Sequence, residues 1–291
     1  MKHSGIGRGK IISIVKRANR IMGILEAVFL GILQGLTEFL PVSSSGHLVL
    51  FQNIFETPGD MLFFDTMLHV GTLVAVFIVL WKDIAEILRH LFAHFTWVLV
   101  VATIPAVVAG VLLGDFFEGA FEGTYLAFGF LITSLLLVLS EQIAARRKAK
   151  YNSKEQIGFG TTLGVGCMQA VAILPGISRS GSTLSGSLMA GLDRSLAASF
   201  SFLMSIPVIL GSAVMQGYDI IKAGAGEIYL VPTILGMAAA AVSSFFAAKY
   251  MMKMIRNKKL YGFAVYTAVL GVLVLLDQLF FHVVFANPFI G

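Results

Sequence analysis

The stretch Gln34-Gly-Leu-Thr-Glu38-Phe-Leu-Pro41-Val-Ser43-Ser44-Ser45-Gly46-His47 is polar and glycine-rich, yet it lies inside an apolar run from Ile24 to Phe51. Pro41 ends a helix predicted over 24–40, because proline donates no backbone hydrogen bond and disfavours helix at the residue before it. Ser43 to Gly46 then reads as a loop, and 47–54 as a short second helix. Two half-length helices around a polar turn describe a re-entrant hairpin rather than a crossing. Irregular backbone at membrane depth is tolerated only where protein or a watery cavity covers it.

A second stretch repeats the plan: Gln169-Ala-Val-Ala-Ile-Leu-Pro175-Gly176-Ile-Ser178-Arg179-Ser180-Gly181-Ser182-Thr183. A helix over 158–174 stops at Pro175, and a short helix runs on to about Gly191. The two stretches align as Gln-(x)-Pro-(x)-Ser-x-Ser-Gly. One residue less separates Gln169 from Pro175 than Gln34 from Pro41.

The surroundings belong to lipid. Of 291 residues 57% are hydrophobic and 13% charged, with a mean hydropathy of +0.87, whereas soluble domains carry about 25% charged residues. Crossing a bilayer core of about 30 Å takes roughly 20 apolar residues. Three spans are predicted near 62–80, 96–113 and 124–140, and three more near 196–216, 229–248 and 262–281. The fold expected is an all-α integral membrane protein with an inverted-topology repeat, since hairpin plus three spans occurs twice and an odd number of crossings inverts the second half. Residues 1–21 form a basic extension, 22–156 the first repeat with its hairpin at 24–54, and 157–291 the second with its hairpin at 158–191.

Charge sets the orientation. Loops 82–94, 141–156 and 249–259 hold two, five and five Lys/Arg, whereas 114–123 and 217–228 hold only Lys222. The positive-inside rule puts the basic loops in the cytoplasm and the first hairpin outside. The tail, with Lys2, Arg8, Lys10, Lys16, Arg17 and Arg20, runs against this; a start at Met22 removes the conflict. The run that follows carries Glu26, Gln34 and Glu38 and lacks a small-x-small site, which excludes a cleaved signal peptide. The net charge of +5 therefore writes topology and does not indicate nucleic-acid binding. The single cysteine, Cys167, is expected as a buried thiol.

Chemistry concentrates on the hairpins. Glu38 and Gln34 share a helix face, and an ionisable residue at that depth is a functional candidate. Arg179, among hydroxyls and backbone amides at a helix N-terminus, makes a phosphate cradle with Ser43, Ser45, Gly176, Ser178, Ser180 and Thr183. Ser44 offers a nucleophile, and His47 a general base or a nucleophilic nitrogen. Asp65 and His69, sharing a face at i, i+4, could support a site or bind a cation, but read more readily as an internal pair. Gly31-x-x-x-Gly35 and Gly160-x-x-x-Gly164 are helix-packing patterns. A transferred phosphoryl group on a lipid suits this set, with Arg179 balancing negative charge.

Gln34-x-x-x-Glu38, Pro41-Val-Ser-Ser-Ser-Gly-His47 and Pro175-Gly-x-Ser178-Arg179-Ser180-x-x-Thr183 resemble the motifs of the bacterial undecaprenyl-diphosphate phosphatase family of the bacitracin-resistance type. So do Leu68-His-Val-Gly71-Thr and Ser201-Phe-Leu-Met-Ser-Ile-Pro207, and the similarity covers all but residues 1–21. The resemblance implies hydrolysis of a polyprenyl diphosphate in the membrane, returning undecaprenyl phosphate to peptidoglycan synthesis. It implies catalytic Glu38, Ser44, His47 and Arg179, with Ser44 or His47 attacking phosphorus. It also implies a divalent cation, Mg²⁺ or Ca²⁺, at Glu38 and Gln34, although the amide of Gln34 weakens direct ligation. A homodimer is allowed. The rival reading is a polyprenyl-phosphate transporter or flippase, since inverted repeats with broken helices also build transporters.

Overall fold

The computed structural model describes residues 22–57, 61–223 and 229–285. The basic tail and its conflicting charges lie outside the described residues. Twelve α-helices are described: α1 (Ile24–Glu38), α2 (Ser44–Phe55), α3 (Leu62–Val79), α4 (Trp81–Arg89), α5 (His94–Leu112), α6 (Gly114–Ala120), α7 (Leu126–Ala145), α8 (Phe159–Val171), α9 (Arg179–Met189), α10 (Arg194–Ala223), α11 (Leu230–Asn257) and α12 (Tyr261–Leu276). A π-helical turn, Asp277–Phe281, extends α12. Six of these, α3, α5, α7, α10, α11 and α12, are long and apolar enough to cross a bilayer. Among the described residues the secondary structure is helical, and the protein is multi-pass.

The hairpin arms differ in kind. α1 has 15 residues, α2 12, α8 13 and α9 11. At about 1.5 Å per residue none spans the roughly 30 Å of a hydrocarbon core.

Lipid tails are as apolar as leucine, so helices in a membrane associate by close approach of small residues rather than by the hydrophobic effect. One glycine pair does this here. A Cβ on Gly31 would meet the carbonyl of Gly236, and one on Gly35 would meet Ala240 and Ser243, which seats α1 on α11. The other match does not: Cβ atoms on Gly160 and Gly164 would meet nothing within 4 Å. Gly271 brings α12 onto Ala127 and Leu131 of α7, and Gly166 brings α8 onto Ala102 of α5. Val107, Val111, Val265 and Val269 face outward on the spans, where lipid would cover them.

Three expectations change. The basic run at 249–259 is mostly helix, because buried Met251 and Ile255 carry α11 through to Asn257. Cys167 is exposed, not buried. It stands on the outward face of α8, whose buried face is Thr162, Val165, Gly166 and Gln169. The loop at 82–94 contains α4, amphipathic and tied to the following basic loop by Lys154 Nζ, 2.7 Å from Asp83 Oδ1 and 2.6 Å from Glu86 Oε2. Burial works against the Lys154 ammonium, and these two carboxylates outweigh it, holding its pKa above the usual lysine range.

At the basic end Arg194 closes a second polar junction. Its guanidinium donates to both oxygens of buried Glu141, at 3.0 and 2.7 Å, and to the carbonyls of Ile255 and Lys258. Glu141 also accepts from Leu260 N at 2.9 Å. α7, α10, α11 and α12 are thereby joined.

Candidate active site

The first hairpin turns through Ser43, whose φ of 69° and ψ of 90° are strained for a residue with a side chain. Such conformations cost on the order of 1–3 kcal/mol and persist where the surroundings impose them. Here the strain directs two groups. Ser43 Oγ accepts from Gly46 N at 3.2 Å, and its carbonyl oxygen lies 2.7 Å from His47 Nδ1. Because a serine caps it, α2 begins at Ser44, three residues before the expected start at His47. Ser44 and His47 therefore share a helix face, one turn apart.

The second hairpin is built alike. Ser178 Oγ accepts from Gly181 N at 3.0 Å and starts α9 at Arg179. Ser178 and Ser180 hydroxyls are 3.3 Å apart, as Ser43 and Ser45 are 3.4 Å apart. Counted from the capping serines, Gln34 and Gln169 each lie nine residues upstream. Gly176 turns at φ +88°. It fits against α7, where Thr133 Oγ1 donates to its carbonyl at 2.9 Å and accepts from Ser178 N at 2.8 Å.

The two tips meet. A Cβ on Gly46 would stand 2.9 Å from Gly176 Cα, and one on Gly181 would stand 3.4 Å from Pro41. Ser180 Oγ donates across to Leu40 O at 3.0 Å. The N-termini of α2 and α9 consequently converge. Each leaves its first N–H groups without intrahelical partners and presents the positive end of its dipole.

Glu38, the last residue of α1, sits at the convergence with 3% exposure. Its Oε1 accepts from Arg179 Nη2 at 2.5 Å, across 141 residues of sequence. Its Oε2 accepts from Ser44 Oγ at 2.6 Å and from Gln34 Nε2 at 2.7 Å. Two buried atoms beside it have no hydrogen-bond partner: Arg179 Nη1 and Gln34 Oε1. The arginine fork thus has one arm on the carboxylate and one arm free.

The other candidates fall into place unevenly. Ser43, Ser178 and Ser180 make the caps and the seam between hairpins, and Gly176 packs on α7. Thr183 bonds inward, to Arg179 O and to Ser201 Oγ. Ser45 is half-buried in the first turn of α2.

Two residues join the site that the sequence reading did not assign to it, His69 from the Leu68-His-Val-Gly71-Thr stretch and Tyr266. His69 was read first as the partner of Asp65, with support of a site as the alternative. Instead its Nδ1 faces the Asp65 carbonyl at 2.8 Å and its Nε2 faces Glu38 Oε2 at 3.5 Å, while Gln52 Nε2 donates to the Asp65 carboxylate at 2.6 Å. A histidine inside a membrane span was the available signal. Tyr266, on α12, places its hydroxyl 2.7 Å from His47 Nε2. Nothing near it in sequence marks it out. Among the described residues no three His, Cys, Asp or Glu side chains cluster as a metal site.

A family model described as bacitracin resistance protein BacA matches residues 27–273. The chain is 43% identical over 260 residues to a protein of Carboxydothermus hydrogenoformans named undecaprenyl-diphosphatase, covering 88% of this chain and 98% of that relative. It is 40% identical over 259 residues to the undecaprenyl-diphosphatase of Halothermothrix orenii, and 41% identical over 258 residues to undecaprenyl-diphosphatase 3 of Bacillus cereus, with the same two coverages.

Proposed function

This chain belongs to the bacitracin resistance protein BacA family, and from that premise we propose how its hairpins hydrolyse undecaprenyl diphosphate to undecaprenyl phosphate and inorganic phosphate. The product re-enters cell-wall synthesis, and bacitracin resistance follows. One observation carries the residue roles. The Glu38 carboxylate takes a serine hydroxyl on one oxygen and the arginine of the opposite hairpin on the other. That is a nucleophile, its base and a charge clamp in one hydrogen-bonded chain.

Ser44 is the attacking group. Its Oγ–H proton passes to Glu38 Oε2 as Oγ bonds the terminal phosphorus, and the bridging P–O bond breaks to release undecaprenyl phosphate. Water then attacks the phosphoserine, giving up a proton to His47. The P–Oγ bond breaks, and Glu38 returns its proton to Oγ. Arg179 Nη1 and the free N–H groups of α2 and α9 hold the phosphoryl oxygens, on which negative charge is concentrated. His47 is not assigned the attack, because its Nε2 is occupied by Tyr266.

A divalent cation, Mg²⁺ or Ca²⁺, fits this reading in a limited way. Gln34 Oε1 is a buried oxygen without a partner next to the Glu38 carboxylate, and hard cations take oxygen ligands, Mg²⁺ commonly with only one or two from protein and the rest from substrate phosphates and water. Glu38 and Gln34 would hold such an ion, which would neutralise diphosphate charge.

The inverted repeat belongs to the same proposal. Its support is the matched serine caps, the equal nine-residue spacing, and a reciprocal packing in which α1 lies on α11 while its counterpart α8 lies on α5. The short hairpin arms support re-entrant loops, and the loop charges support a site open to the outer side. Impermeant thiol labelling tests orientation. With Cys167→Ser as background, because that thiol is exposed, Glu122→Cys should label in intact cells and Lys148→Cys should not.

Phosphate release from undecaprenyl diphosphate by detergent-purified protein tests the reaction, because a transporter releases none where there are no two sides. Trapped enzyme should carry a phosphate on the peptide containing Ser44. A Ser44→Ala protein with wild-type turnover would exclude the covalent route.

A further inference from the structure

His47 is pinned at both nitrogens. Its Nδ1 lies 2.7 Å from the Ser43 carbonyl, an oxygen that can only accept, so Nδ1 carries a proton. The imidazole therefore gains and loses its other proton at Nε2, which faces Tyr266 Oη at 2.7 Å. The two rings are parallel, 5° apart in plane with centroids 5.7 Å apart, and Phe130 meets the imidazole edge-on at 85° with centroids 5.5 Å apart. The burial of the two partners is opposite. His47 is 2% exposed and Tyr266 is 47% exposed. The imidazole thus reaches its surroundings at Nε2 through a hydroxyl group.

We propose that Tyr266 is a positioning and proton-relay residue for His47. A hydroxyl suits the task because it both donates and accepts. It donates to Nε2 of the neutral imidazole and, by rotating, accepts from Nε2–H of the imidazolium. In the hydrolytic step the attacking water passes a proton to Tyr266 Oη, while the Oη–H proton moves to His47 Nε2. The phenol is neutral before and after, and the charge resides on the imidazolium. The mount is rigid. α12 is held on α7 by Gly271 and by Ser134 Oγ donating to Ala264 O at 2.8 Å, and α7 also carries the second hairpin through Thr133.

This inference rests on the phosphatase reading, and Tyr266→Phe separates the two. The substitution keeps the ring stack and removes only the hydroxyl. Phosphate release from undecaprenyl diphosphate should fall in kcat by roughly 10- to 100-fold with KM nearly unchanged, within the range of a lost acid–base contribution. In a His47→Asn background the same substitution should cost nothing further, because both changes interrupt one relay. Full activity of Tyr266→Phe, or losses that multiply in the double variant, would overturn the proposal. A second readout needs no turnover. In ¹⁵N-histidine spectra of the detergent-solubilised protein, the resonance missing from His47→Asn should report an Nδ1–H tautomer, with its Nε2 shift moving by several ppm in Tyr266→Phe, roughly as expected on losing one hydrogen bond. An unmoved Nε2 shift would refute the pairing even if the protein proved to be no phosphatase. A moved shift with unchanged kcat would leave the pairing and overturn the relay.

Discussion

Arg179→Lys isolates what the arginine fork contributes. A lysine at 179 keeps a positive charge against Glu38, so the buried carboxylate is not left uncompensated. Arg179→Ala, by contrast, would strand that charge at a cost of about 3–5 kcal/mol. What lysine cannot do is engage two acceptors in the fixed geometry of a guanidinium. In the resting protein Nη2 is on Glu38 Oε1 and Nη1 is buried and free, so the substitution removes the arm available to phosphate. Losing one preorganised donor to a developing negative charge costs roughly 2.7–4 kcal/mol, or about 100- to 1,000-fold in kcat. Thermal unfolding in detergent should change little, because the Glu38 partner survives. Steady-state phosphate release, with the unfolding midpoint measured alongside, decides the matter. Activity within threefold of wild type in a folded Arg179→Lys protein would refute the claim that the free arm binds phosphate.

Gly176→Ala should destabilise by roughly 3 kcal/mol or more, since a side chain at φ +88° is strained and its Cβ would stand 2.6 Å from Leu126 O, a backbone atom that cannot turn aside; detergent melting and activity should fall together. Gly31→Ala should lower the unfolding midpoint by crowding the Gly236 backbone, whereas Gly160→Ala, facing nothing within 4 Å, should leave it unchanged or raise it by about 0.5–1 kcal/mol worth of helix propensity. Arg194→Ala should cost about 3 kcal/mol or more by stranding buried Glu141, and should leave the KM of the folded fraction unaltered. The Lys154 tie has a defined pH window: a raised folded pKa means its stabilisation is complete below the unfolded lysine value of about 10.5 and is lost as pH rises through the higher folded value. Melting curves of wild type and Lys154→Met should therefore converge above that window and separate below it.

The spans were legible because a membrane leaves a helix few choices. Twenty apolar residues without charge can do little else, and the six crossings fall within a few residues of their expected positions except where α11 continues through its basic end. There the charges mark the membrane boundary but not the helix boundary, because Met251 and Ile255 still have a core to meet. The meeting of Glu38 with Arg179 was also accessible, since two charges in lipid cost least when paired. Residues acting through space were not. His69 looked bound to Asp65 because i, i+4 spacing predicts it, but a backbone carbonyl takes one nitrogen and leaves the other aimed at Glu38. Tyr266 approaches His47 from 219 residues away, and no local pattern encodes that.

The hairpins share one register, set by their capping serines and not by their prolines. Aligned on their prolines, the halves are out of step, and Gln169 falls one position short. Aligned on Ser43 and Ser178, they agree at the capping contacts, Gly46 with Gly181 and Ser45 with Ser180, and Gln34 and Gln169 fall at matching positions. The reason is physical. Proline only forbids helix before it, and a residue more or less of turn satisfies that equally well. A serine cap fixes which N–H it satisfies, and so fixes where the next helix starts and which residues occupy its first turn. In that register Ser44 corresponds to Arg179 and His47 to Ser182. On the proposed mechanism the same frame presents a nucleophile and a base from one hairpin and a phosphate-binding cation from the other. Transposing the pair, Ser44→Arg with Arg179→Ser, should give a protein that melts near wild type, because the frame is kept. It should release no phosphate, because His47 stays on α2 while Ser182 holds the matching place on α9. Turnover by the transposed protein would show that the two hairpins are interchangeable and that His47 does not choose between them.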